Sequence, residues 1–184
     1  MENGKENEIA TPESTDNYER LAGEIGKASS SDAIQELLRH NLLATCGVEM
    51  ASIFLIDSLK MQLVSWLVLP GESLRKIRIP IDKTSIAGYT ASSREVVLIE
   101  DPYDEEELLA FDPELKFDSS WDAKTGTRTR QLLAAPILVQ RSLLGVIQLM
   151  NKCDGRVFTP DDIRHVRKLA STLGSALLRG RNAA

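Results

Sequence analysis

The sequence predicts an α+β domain, an antiparallel sheet with helices packed on its faces. Two observations carry that expectation. The apolar runs are joined mostly by short turns, which suits antiparallel pairing better than a parallel sheet with helical crossovers. Helical periodicity, in turn, concentrates at the two ends of the chain. At 184 residues there is enough chain for one domain with a sizeable core.

The elements follow in order. Residues 1–16 are rich in Glu, Asn, Ser and Thr and too poor in apolar surface to order themselves, so they are expected to form a disordered tail. Tyr18, Leu21 and Ile25 then recur at helical spacing. After the capping cluster "ASSSD", Ile34, Leu37, Leu38, Asn41 and Leu42 line one face of a second helix that stops near Gly47. "ASIFLID" and "QLVSWLVL" read as two strands joined by a turn around Ser58 to Lys60. "RKIRIPI" alternates charge and Ile as a half-exposed strand does, with Lys76 and Arg78 on the solvated face.

"DKTSIAGYTASSREVVLIED" predicts a short helix running into a brief strand. From 100 to 122 the chain is acidic: Glu100, Asp101, Asp104 to Glu107, Asp112, Glu114, Asp118 and Asp122 stand against Lys116 alone. A connection of that length inside a compact domain usually serves as a lid or binding loop. Two apolar strands, "QLLAAPILV" and "LLGVIQLM", follow. The last helix is expected from Pro160 to about Arg179, with Ile163, Val166, Ala170, Leu173 and Leu177 on one stripe. That stripe is shorter than a coiled coil requires. The domain is accordingly expected over 17–180, with 181–184 a flexible end.

Composition excludes several classes. A net charge of −5, with Lys and Arg scattered among carboxylates, argues against a nucleic-acid surface. "MENGKENEIATPESTDN" has the apolar core of neither a signal peptide nor an anchor. No apolar run approaches the roughly 20 residues of a membrane span. A cytoplasmic location without membrane association is therefore expected. Cys46 and Cys153 lie far apart and imply neither a disulfide framework nor a metal knuckle. His40 and His165 fall off the apolar stripes of their helices and read as solvent-facing. No nucleophile elbow, Walker loop or two-histidine zinc pattern occurs, so neither a catalytic residue nor a metal site is expected.

Four stretches carry chemistry. In "NKCDGRVFTPDD" Thr159 suits an N-cap, Pro160 the first helical position, and Asp161 and Asp162 the first turn. Lys152 can reach Asp162 and Phe158 can plug the gap between strand and helix, which makes the stretch a structural clamp. In "DKTSIAG", Thr84 or Ser85 can cap a helix whose Ile86 and Ala87 amides then face outward. This is an anion site or an ordinary capped end. Ser52 and Gln148 interrupt apolar strands, sharing faces with Phe54 and Ile56 and with Val146 and Met150 respectively. A satisfied core network and a ligand pocket both explain them. "DAKTGTRTR" places Asp122, Thr125, Thr127 and Thr129 before a core strand, as a polar pocket rim or as turn-forming residues.

Together "ASIFLID", "IRIPIDKTSIAGYTASSREVVLIEDPY", "TGTRTRQLLAAPI" and "GVIQLMNK…FTPDD" resemble the GAF domain, the small-molecule sensor module of cyclic-nucleotide phosphodiesterases and bacterial adenylyl cyclases. The resemblance implies a six-stranded antiparallel sheet, with the terminal helices on one face and a short helix plus the long loop enclosing a pocket on the other. It aligns Asn151, Lys152, Phe158 and Asp162 with the family's Asn-Lys…Phe…Asp-Glu signature, a brace beside the pocket, with Ile163 in place of the final Glu. It assigns ligand contact to Ser52, to Ile86 and Ala87 at the helix start, to Asp122, Thr125 and Thr129 on the rim, and to Gln148. Val68 stands where nucleotide-binding members often carry a stacking Phe, and Trp66 or Phe117 is the available aromatic substitute. The implied function is non-catalytic sensing. Cyclic AMP or cyclic GMP is the candidate regulatory ligand, and a homodimer through the terminal helices and an effector domain or protein are the expected partners. A ligand-free dimerisation module and a sensor of another metabolite are the alternatives.

Overall fold

The computed structural model describes residues 12–71 and 76–182. Most of the expected tail (1–11), Arg75 of the third strand segment and residues 183–184 lie outside them. Three helices and six strands build the frame: α1 (Pro12–Lys27), α2 (Ser31–Cys46), β1 (Val48–Asp57), β2 (Gln62–Leu69), β3 (Arg78–Pro80), α3 (Ile86–Ser93), β4 (Val97–Ile99), α4 (Glu105–Phe111), α5 (Ser120–Thr125), β5 (Leu132–Val139), β6 (Ser142–Lys152) and α6 (Pro160–Asn182), with α3, α4 and α5 as short additions. The strands form one sheet in the order β3-β2-β1-β6-β5-β4. Every neighbouring pair is antiparallel. The α+β class is as the turn lengths predict.

Strand alternation sorts side chains to two cores. On one face Ile53, Leu133, Ile147 and Leu149 pack against Leu38 of α2 and Leu173 of α6, and all six are fully buried. On the other, Phe54, Ala134 and Val146 meet Ile86 and Ala91 of α3 in a smaller cluster. Local chemistry sets the ends of α2: Ser30 Oγ accepts from the Ala33 amide at 3.1 Å, and Gly47 closes the helix at φ 60°, a conformation glycine adopts at little cost.

Three expectations change. The α1 helix starts at Pro12, inside the stretch read as tail, because proline suits a first helical turn. The third strand shrinks to three residues. The acidic connection has helices of its own: Asp104 accepts from the Glu106 and Glu107 amides to cap α4, and the Glu107 carboxylate accepts from the Glu100 and Asp101 amides. Negative charge in a first helical turn is favourable, so acidity here builds a helix. Among the described residues no helix is long and apolar enough to cross a membrane.

His165 is not solvent-facing. Its ring is half-buried and stacks on Tyr18 of α1, with centroids 4.4 Å apart, a tertiary contact that no helical wheel anticipates. Burial is the main force holding its pKa below the ordinary value. Arg164 and Lys168 add to this, while Asp161 and Asp162 oppose it. A base whose folded pKa is depressed favours the neutral form, so its contribution is present above the unfolded value near 6.5 and is lost as pH falls through it. The urea midpoint is expected to drop between pH 7 and pH 5, and His165→Phe, which keeps the stack, is expected to flatten that slope. An identical slope in the variant would assign the effect to other groups.

Candidate ligand-binding cavity

The sheet face opposite α1, α2 and α6 carries a cavity of about 980 Å³, roofed by α5 and the segment before it. Its floor is set by register. Ser52 on β1 and Gln148 on β6 are direct cross-strand partners, and both line the cavity. Each is 8% exposed, and neither side chain has a hydrogen-bond partner among the described residues. They are therefore not a mutually satisfied core network. Around them the floor is apolar, with Met50, Val68, Leu132 and Met150.

The α3 terminus forms one wall. Ser85 caps it, accepting from the Gly88 amide at 3.1 Å. Thr84 instead bonds Asp82. A Cβ at Gly88 would lie 2.6 Å from the Pro80 carbonyl oxygen, so only glycine allows α3 to start this close to β3. Ile86 and Ala87, whose amides have no intrahelical acceptor in a first turn, line the cavity. Lys116 joins them: it bridges to Ser85, donates its amide to the Thr84 carbonyl at 3.1 Å, and lines the same wall.

The rim residues come together differently from expectation. Asp122, Thr125 and Thr129 all line the cavity. The Asp122 carboxylate, however, accepts from the Thr129 amide (2.6 Å), the Thr129 hydroxyl (2.7 Å) and the Tyr103 hydroxyl (2.8 Å). It acts as a latch between α5, the entry to β5 and the residue ahead of α4. The hydrogen bond to Asp122 also raises the Tyr103 pKa. Thr125 Oγ1 donates to the Trp121 carbonyl at 3.0 Å. Phe117 lines the cavity and meets the Tyr103 ring edge-on at 5.2 Å, while the Arg128 guanidinium lies 3.9 Å over that ring. Val68 also reaches the cavity. Trp66 does not: pairing slips from Ile53↔Leu67 to Phe54↔Ser65, and the extra residue packs against the helical core.

The stretch from Asn151 to Asp162 is a brace. Lys152 Nζ donates to Asp162 Oδ1 at 2.9 Å, and both side chains are largely buried. Asp162 also accepts from the Thr159 amide and hydroxyl, and Thr159 Oγ1 accepts from the Asp162 amide, a reciprocal capping arrangement. Phe158 is buried beside them. Asn151, at φ 58°, accepts from the Arg130 amide and donates to Glu49 and to the Arg128 carbonyl. Arg130, and secondarily Asn151, holds the Glu49 carboxyl below its usual range.

Sequence reasoning missed Lys116, Met50 and above all Trp121, which lines the cavity from α5. The available signal was an indole adjoining Asp122 in an acidic run. The thiols belong elsewhere: Cys46 is buried, which pushes its pKa up to about 12, and exposed Cys153 does not line the cavity. Among the described residues no group of three or more His, Cys, Asp or Glu is placed to hold a metal ion.

The profile of the GAF domain matches residues 31–177. The chain belongs to the GAF domain family. This GAF domain is 36% identical over 123 residues to a probable 3',5'-cyclic phosphodiesterase, pde-5, of Caenorhabditis elegans, a match covering 61% of the chain and 15% of that relative. It is 32% identical over 114 residues to a dual 3',5'-cyclic-AMP and -GMP phosphodiesterase, 11A, of Takifugu rubripes, covering 60% of the chain and 11% of that relative. The chain thus spans a small part of these enzymes' length. Among solved structures it resembles the GAF domain of an Acinetobacter phosphoenolpyruvate-protein phosphotransferase (TM-score 0.71, 15% identity, 95% of this chain and 98% of that one). It equally resembles a free methionine-R-sulfoxide reductase from Neisseria meningitidis in complex with its substrate (TM-score 0.71, 14% identity, 96% of each). At such identities the likeness is one of fold, and the second neighbour is an enzyme.

Proposed function

We propose that this GAF domain is a non-catalytic regulatory module that binds a small molecule in the cavity, with cyclic AMP or cyclic GMP as the candidate ligand. The observation that carries the reading is the cavity of about 980 Å³ with Ser52 and Gln148 on its floor and no protein partner for either among the described residues. Ligand sites are typically apolar concavities of about 300–1,000 Å³ with a few polar groups that fix orientation. A module serving only to dimerise has no need of one. The wall of Ile86, Ala87 and Lys116 suits a cyclic phosphate, since a helix N-terminus favours negative charge. Ser52 and Gln148 suit a base edge, and Thr125 and Thr129 a ribose or phosphate. The phosphodiesterase relatives support a cyclic nucleotide over other metabolites. Ligand would draw the Asp122-latched lid inward and shift α1, α2 and α6. We assign to those helices the homodimer contact and the signal to an effector, in the cytoplasm.

Thermal unfolding tests the reading. Ligand at 100 times its dissociation constant adds about 2.7 kcal/mol of stability, expected to raise Tm by roughly 5–10 °C in a chain of this length. Gln148→Leu, which removes the floor carboxamide and leaves the lid intact, is expected to lose most of that shift. A flat Tm with both cyclic nucleotides at millimolar concentration would overturn the assignment.

A further inference from the structure

We propose that Trp121, on the lid helix α5, is the stacking platform for the ligand's ring, so that the ligand is a planar heteroaromatic compound carrying an anionic group. The inference rests on the reading of the cavity above and assigns its ring-recognising residue.

The sheet offers no free aromatic face. Phe54 is 3% exposed and belongs to the smaller core, and apart from polar Ser52 and Gln148 the floor positions named above are aliphatic or thioether, Val68 and Met150 among them. Trp66 packs on the opposite side of the sheet. A ring-bearing ligand must then be gripped from the lid, where Phe117 and Trp121 line the cavity. Phe117 is already engaged edge-on by Tyr103. Trp121 has no aromatic partner among the described residues and is 39% exposed. Its ring contact is the Lys124 ammonium, 4.7 Å from the centroid, which leaves the rest of the indole to a ligand.

The position is also rigid. Trp121 and Asp122 are neighbours, and Asp122 is tied to Thr129 and Tyr103, while Thr125 Oγ1 bonds the Trp121 carbonyl. A platform whose backbone is already tied within the lid, and which moves with it, loses little local ordering entropy on binding. Stacking is largely indifferent to base identity because every base has a π-face. Trp121 therefore supplies affinity, and discrimination between rings falls to Ser52 and Gln148, whose carboxamide both donates and accepts.

The experiment uses the full chain with cyclic AMP and cyclic GMP as probes. Trp66→Phe leaves Trp121 the sole tryptophan, and saturating nucleotide is expected to quench its emission. By calorimetry, Trp121→Ala is expected to weaken binding roughly 5- to 150-fold, the range for losing one stacked base, and Trp121→Phe to restore most of it. Undiminished binding by Trp121→Ala, or no quenching at saturation, would overturn the inference and leave the cavity reading standing. No binding of either nucleotide by the unaltered chain would overturn both. Were Trp121→Ala to misfold, the quenching measurement on Trp66→Phe decides alone.

Discussion

Gly145→Ala is expected to destabilise the domain by about 3 kcal/mol, the upper end of the cost of over-packing. Gly145 sits in β6 opposite Leu55 of β1, in the central pair of the sheet. A Cβ there would lie 2.0 Å from the Phe54 carbonyl oxygen, 3.0 Å from its carbonyl carbon and 3.1 Å from Leu55 Cα. All three are backbone atoms, so no rotamer change relieves the contact and the two strands must part. Gly180→Ala is the control. Its Cβ would meet nothing closer than the Ser31 amide nitrogen at 3.7 Å, and alanine in a helix gains up to about 1 kcal/mol over glycine. Urea denaturation should give the two variants opposite signs. A Gly145→Ala midpoint equal to that of the unaltered chain would mean β1 and β6 can separate at no cost.

Asp162→Ala carries the other large effect, an expected loss of about 3–5 kcal/mol, as for one partner of a buried ion pair. It strands the Lys152 ammonium, whose side chain is 16% exposed, and frees the Thr159 amide at the start of α6. Replacing both partners by apolar residues, Lys152→Met with Asp162→Leu, should recover most of the loss, because no uncompensated charge remains. A deficit of about 1 kcal/mol should persist for the missing cap. Equal costs for the single and double variants would show that Asp162 matters through the cap alone.

Much of this architecture was legible because it rests on short-range rules. Alternation placed Gln148 on one face with Val146 and Met150, and β6 keeps Val146 and Met150 against the smaller core and Gln148 at the cavity. Cap chemistry placed Lys152 and Asp162 together at the strand–helix junction. The failures trace to events outside any local pattern. A one-residue bulge turned Trp66 to the other face. Tyr18, contributed by a different helix, covered His165. Asp122 lines the cavity as expected, but its internal partners were not legible, because Tyr103 and Thr129 lie 19 positions before it and seven after it. Asp104 followed by three glutamates was a readable helix start in a segment whose acidity suggested a loop.

The acidic roof has a kinetic side as well. Ten carboxylates between 100 and 122 face a single lysine, and Asp118 and Asp122 belong to the cavity lining itself. An anionic ligand of the kind proposed above would meet the field of these carboxylates before it reached the α3 amides, so its capture would be slowed, a repulsion that Arg78, Lys116 and Lys124 of the same lining offset in part. Dissolved salt, with a Debye length near 8 Å at physiological strength, blunts that repulsion outside while leaving the enclosed contacts nearly untouched. With an anionic ligand such a gate would load more slowly at low ionic strength than at high, the reverse of an electrostatically steered receptor. It would set how quickly the proposed ligand is captured, independently of how tightly the cavity holds it.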